Sequence, residues 1–295
     1  MKLIITPDDS GTRQEQYTFL VYNFCSGQLE YKQDKCQELD CTHLSEQGRA
    51  TFRPFGITYD ETYIYITSHD KLAAFNKLTY KFEKLIDIPL YVNTHQILKD
   101  NDTFYICNTS VDSIGIYTNE SKKHLDLTSY TIVDSIESAK DVYEKDTVHV
   151  NSLYDYNGNI YFCLHNGGKK QSTFGYFNKD TLEVKIIAEA GLSSHGLAII
   201  NNKLYSLSSG TGDIIEIDLE TNQVGYYDLA DPKLIFLRGL DTYNETLVIG
   251  CSNNHDAEIN QENCNIYLFN PKFKMASYLM SIKEAFTISD LKLVI

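Results

Sequence analysis

The chain has 295 residues, 42% hydrophobic and 12% aromatic, with 22 Tyr, 14 Phe and only 5 Pro. That is the composition of a globular, strand-rich protein long enough for a substantial core. Its formal net charge of −14 repels phosphate backbones and anionic lipid, which argues against nucleic acid and membrane partners. No stretch reaches the ~18 apolar residues of a membrane span.

The opening MKLIITPDDS has too short an apolar run for a signal-peptide core, so a cytoplasmic location is expected. The glycosylation-type sequons at Asn108, Asn119 and Asn244 read as chance in an Asn-rich chain. The seven Cys read as intracellular thiols rather than a disulfide framework.

In chain order, KLIIT (2–6) reads as a strand, followed by the hairpin of FLVYN, ending at Asn23, and LEYKQ. The fragment Cys36-x4-Cys41-x-His43 lies between units and has only a partial metal-ligand pattern. A second unit runs FGITYD, YIYITS, LAAFN, YKFEKLI, and a third HQILKD, FYICNT, IGIYT, KKHLDL. An insertion, TIVDSIESAKDVYEKDTV, then precedes the fourth unit of NSLYDY, IYFCLHN, FGYFN and LEVKII. The fifth unit is HGLAII, LYSLSS, IIEID and QVGYYDL. Its SLSSGTGD joins two strands and is therefore not a phosphate loop. The sixth is RGLDTY, LVIGCS, a second insertion NNHDAEINQEN, then IYLFN and KMASYLM.

Each unit alternates with period two and turns on Asn, Asp or Thr, as antiparallel hairpins do. Five pairs share a spacing of eight: Ile57–Tyr65, Ile97–Tyr105, Leu153–Tyr161, Leu197–Tyr205 and Leu240–Val248. The first unit lacks an innermost strand, and AFTISDLKLVI is left over at the C-terminus to supply it. The expectation is an all-β, six-bladed β-propeller spanning 1–295 as one domain. Its ring would close by the C-terminal strand joining the N-terminal blade. A seven-bladed ring and a β-sandwich are the alternatives. Cys107, Cys163 and Cys251 recur at one place in three second strands, a packing signature.

Innermost propeller strands line a channel, so the alignment places Phe55, His95, Asn151, His195, Arg238 and Phe286 in one ring. Two residues earlier come Arg53, Asn93, His149, Ser193, Phe236 and Glu284. The ends of the second strands add His69, Asn108, His165, Ser209 and Asn253, with His255 beyond. Both insertions fall on this face as prospective lids.

A cluster of His and Arg in an acidic chain reverses the local sign and draws anions. One chemistry makes His95, His149 and His195 acid–base catalysts, with Arg53 and Arg238 anchoring an anionic or carbohydrate-like substrate of a lyase or hydrolase. Asn93, Asn151, Phe55, His165 and His69 would line its binding site. A second uses His95, His149 and His195 as ligands of a divalent metal cofactor. The third, a non-catalytic ligand-binding or protein-interaction propeller, needs no chemistry at all.

RPFGIT (53–58), HVNSL (149–153), SHGLAI (194–199) and RGL (238–240) resemble the six-bladed group of NHL-repeat and strictosidine-synthase-like propellers. The pair His195–Gly196 is similar to the inner-strand His of streptogramin B lyase-type propellers, and that likeness implies a metal-assisted elimination. Lactonase-type propellers ligate calcium with Glu, Asn and Asp. Asn93 and Asn151 stand at matching heights here, without the Glu and Asp.

Overall fold

The computed structural model describes residues 1–7, 16–41, 51–91, 93–136, 145–229, 236–252, 264–285 and 287–294. The first blade begins with β1 (Lys2–Pro7), β2 (Tyr17–Asn23) and β3 (Leu29–Asp34). The second holds β4 (Pro54–Tyr59), β5 (Tyr63–Ser68), β6 (Lys71–Asn76) and β7 (Phe82–Leu85). The third holds β8 (Thr94–Asp100), β9 (Thr103–Asn108), β10 (Ser113–Tyr117), β11 (Lys122–Asp126) and β12 (Thr131–Val133). The fourth runs β13 (Val150–Tyr156), β14 (Asn159–Leu164), β15 (Ser172–Asn178) and β16 (Val184–Ala190). The fifth runs β17 (Ser194–Ile200), β18 (Lys203–Ser208), β19 (Asp213–Asp218) and β20 (Val224–Asp228). The sixth has β21 (Phe236–Tyr243), β22 (Thr246–Ser252), β23 (Cys264–Asn270) and β24 (Met275–Ile282).

The last strand, β25 (Ile288–Val294), pairs antiparallel with β1 and completes the first blade in the order β25-β1-β2-β3. The architecture is therefore the expected six-bladed propeller with its ring closed by the C-terminal strand. The third blade differs in having a fifth strand: the start of the first insertion pairs as β12 with β11.

Period-two alternation explains how the blades stack. In β1, Ile4 faces the second blade's Ile64, Ile66 and Phe75, whereas Leu3 and Ile5 face the sixth blade's Val248 and Ile266. Among the described residues the apolar core divides into six such clusters, one between each adjacent pair of blades. Cys107, Cys163 and Cys251 lie buried in these layers, and none of the seven Cys is in a disulfide. Burial pushes the Cys107 and Cys163 thiols well above their ordinary range, so they pack as small apolar groups.

The innermost strands β4, β8, β13, β17, β21 and β25 neighbour one another around the axis. Each carries a β-bulge at the same height, seen as a register shift against its second strand. A bulge adds one residue and re-aims its side chain. The pairs at the bulges are Phe55–Gly56, His95–Gln96, Asn151–Ser152, His195–Gly196, Arg238–Gly239 and Ser289–Asp290, and all twelve line the channel.

The second member of each pair sets how closely the blades meet. A Cβ on Gly56 would lie 2.7 Å from backbone atoms of the next strand, and one on Gly196 would lie 2.6 Å from Leu240 Cβ. Where the residue is polar it reaches the next inner strand instead. Leu153 N donates to Gln96 Oε1 at 2.7 Å, Gly196 N to Ser152 Oγ at 2.7 Å and Ile57 N to Asp290 Oδ2 at 3.2 Å. A second girdle ties each blade's second strand, or the residue just after it, to the next inner strand. Thr6, Thr67, Thr109, Cys163 and Ser209 donate to Phe55 O, His95 O, Val150 O, Ser194 O and Leu237 O, and Ile288 N donates to Ser252 Oγ.

Candidate functional site

The bulges turn Phe55, His95, Asn151, His195 and Arg238 inward, as the alignment expects. The sixth position is a correction. Ser289 lines the channel at the height of the other five bulges, and Phe286 lies outside the described residues. Glu284 is displaced as well: it accepts a hydrogen bond from the Tyr22 hydroxyl and sits 3.8 Å from Lys32 Nζ. Asn253, His255, His43 and the insertion NNHDAEINQEN fall outside the described residues, as do residues 137–144 of the first insertion.

The aromatic side chains form one continuous wall. Phe55 stacks on His95 at 4.8 Å between centroids and meets His69 edge-on at 5.7 Å. His95 then meets His149 at 5.1 Å, His149 meets His165 at 4.7 Å, and His165 meets His195 at 5.1 Å. His195 leads to Phe236 at 5.9 Å. The guanidinium of Arg53 lies over Phe55 at 5.0 Å, and that of Arg238 over Phe236 at 5.7 Å. Of the other expected residues, Asn93 Oδ1 lies 3.3 Å from His95 Nε2 and Asn151 lines the channel at its bulge.

The arrangement is a row rather than a convergence. Among the described residues no three His, Cys, Asp or Glu side chains gather as a metal-ligand set. His165 stands between His149 and His195, and His149 Nδ1 is engaged elsewhere. The expected His95–His149–His195 ligand triad is therefore not assembled in this structure. Cys36 and Cys41 are buried in the protein, with the Cys36 thiol 3.2 Å from Glu38.

Charge and burial set the protonation of the row. Burial first, then His149 and both Arg, hold His95 well below the ordinary imidazole range. Burial, Arg238 and the neighbouring His do the same for His195. Burial, His149 and Arg238 pull His165 down to about 3. These three imidazoles are neutral at pH 7.

His149 is held differently. Its Nδ1 lies 2.8 Å from Asp146 Oδ2 and 3.0 Å from Oδ1, and the carboxylate side chain is only 4% exposed. Its backbone is left-handed, φ 52°, an uncommon and strained state for a His. The aligned Asn93 and Ser193 are left-handed as well, and here one Asp112 carboxylate accepts from the backbone N–H of Thr147, Val148 and His149 at 2.7–3.0 Å. Neither acid was singled out from sequence. Asp146 sits inside the first insertion, and Asp112 follows the second strand of the preceding blade. The signal available was the D-T-V-H run at 146–149, a carboxylate three residues before a ring His.

Below this wall the channel narrows at the bulges to a void of about 20 Å³, room for roughly one water molecule.

The chain matches no family model and no curated protein sequence. Solved structures share its fold. One is a chain of the crystal structure of a nidogen/laminin complex, 10% identical, covering 98% of this chain and 97% of that one at a TM-score of 0.66. Another is a protein of unknown function from Bacteroides caccae, 10% identical with the same coverages and a TM-score of 0.64. At this identity the likeness establishes the six-bladed propeller alone.

Proposed function

We propose that the channel mouth binds a small anionic molecule and performs acid–base chemistry on it, as a hydrolase or lyase. The observation that carries this is the His149–Asp146 pair. A buried carboxylate fixes Nδ1, Asp112 holds the backbone N–H groups of residues 147–149, and proton exchange runs through Nε2. Arg53 and Arg238 give the face its positive field, and His95 feels both of them. The net charge of −14 favours a small molecule over nucleic acid or membrane, and seven Cys without a disulfide suit the cytoplasm.

Binding without turnover is the second reading. It is favoured by the neutral state of His95, His165 and His195, which suits packing as well as catalysis.

A thermal-shift panel of small carboxylates and phosphates tests the reading. At least one should raise Tm in the wild type and lose most of that effect in Arg53→Gln. If no anion raises Tm, or the shift is unchanged in Arg53→Gln, the anion site is wrong.

A further inference from the structure

The hydrogen bonds fix where the wall imidazoles carry their protons. Ser209 Oγ lies 2.5 Å from Leu237 O, which can only accept. The single hydroxyl proton is spent there, so Ser209 Oγ must accept from His195 Nδ1 at 2.8 Å. His195 is therefore the Nδ1–H tautomer, with a bare lone pair on Nε2. His95 is the reverse: its Nε2 donates to Asn93 Oδ1 at 3.3 Å, and Nδ1 is bare.

Both rings are 6% exposed and both line the 20 Å³ void. So does Ser289, whose Oγ is buried and has no hydrogen-bond partner among the described residues. Arg238, on the same void, offers donors only. Asn151 is already committed, giving Nδ2 to Ser194 O and taking the Ser152 hydroxyl on Oδ1.

We infer that the throat takes one hydroxyl-sized donor, a water in the free protein and a hydroxyl of the ligand in the complex, so that the ligand of the mouth is a hydroxylated anion such as a hydroxy or sugar acid. This rests on the anion reading above. A hydroxyl donates to a bare imidazole nitrogen and still accepts from Arg238 or Ser289, whereas a methylene in its place strands buried polar groups. The acid group stays at the mouth, which the narrow throat keeps out of the channel.

Two measurements test it. Long-range ¹H–¹⁵N correlation of imidazole nitrogens in the free protein reads the tautomers directly. Nδ1–H is expected for His195 and Nε2–H for His95, and Ser209→Ala should release His195 from its tautomer. The opposite tautomers, or no change in Ser209→Ala, overturn the inference. Calorimetric titration then compares glycolate, lactate and glycerate with acetate and propionate. Hydroxy acids should bind at least about tenfold more tightly, and Ser209→Ala should lose the preference while keeping affinity for the plain acids. Equal binding of both classes overturns the hydroxyl inference and leaves the anion site standing. Failure of both classes to bind overturns the two together.

Discussion

Residue by residue, the mouth combines groups whose protonation states are set by place rather than type. His165, pulled down to about 3, takes up its proton in the unfolded chain near pH 6.5 but not in the fold. Stability therefore falls as pH drops through that window. At pH 5 the loss is up to about 2 kcal/mol for His165, and His95 and His195 act in the same direction.

Asp290 opposes them. Burial raises its carboxyl to about 6, so the fold gains a proton there and is stabilised as pH falls toward 4. From pH 7 to pH 5 that gain is about 1 kcal/mol, and the imidazoles win. Calorimetry at pH 7 and pH 5 should show the lower Tm at pH 5, with a smaller difference in His165→Gln. An unchanged Tm would mean that the row is hydrated and protonated.

At Asp112 the prediction concerns strain. Asp112→Ala leaves three backbone N–H groups without their acceptor and should cost about 2–4 kcal/mol in urea unfolding. Asp112→Asn keeps one acceptor oxygen and should cost less. Most of these side chains were legible because channel positions repeat with the blade. Asp112 was not, because it acts through a contact between successive blades that no single repeat contains, and Asp146 was not, because it lies in an insertion that has no counterpart in the other blades.

At the scale of the strand, the device is the bulge with its Gly or polar partner. Gly196 combines φ 71° with a 2.6 Å approach to Leu240 Cβ, and Gly56 would meet backbone atoms at 2.7 Å. Ala at either should destabilise by about 2–4 kcal/mol, read as a fall in the denaturation midpoint. Ala at exposed Gly158, where a Cβ has open space but φ is 76°, should cost less. The spacing of eight placed five inner strands correctly because each is followed by its own hairpin partner. β25 has no such partner after it: it pairs with β1, 284 residues away at Thr6 and Asp290. Its register was therefore read three residues early, at Phe286 in place of Ser289. β12 was missed because three residues, Thr131–Val133, are too few to show alternation.

Across the whole molecule, closure makes the mouth. Thr6 Oγ1 donates to Phe55 O and accepts from Asp290 N, so it links the two ends of the chain to the second blade. Deleting residues 287–295 removes β25, opens the ring and strips Ser289 and Asp290 from the throat. The truncated chain should lose cooperative unfolding, and retention of a sharp transition would show that the blades hold without closure.

If His149 held by Asp146 is the acid–base group of an anion site, a bound anion followed by NMR is converted. Conversion is compared in wild type, His149→Gln and Asp146→Asn. Wild type should convert it, with the rate down at least about a hundredfold in His149→Gln and strongly reduced in Asp146→Asn, while ligand affinity changes little. Tight binding with no conversion in the wild type, or equal rates in all three proteins, would contradict it and leave a binding propeller.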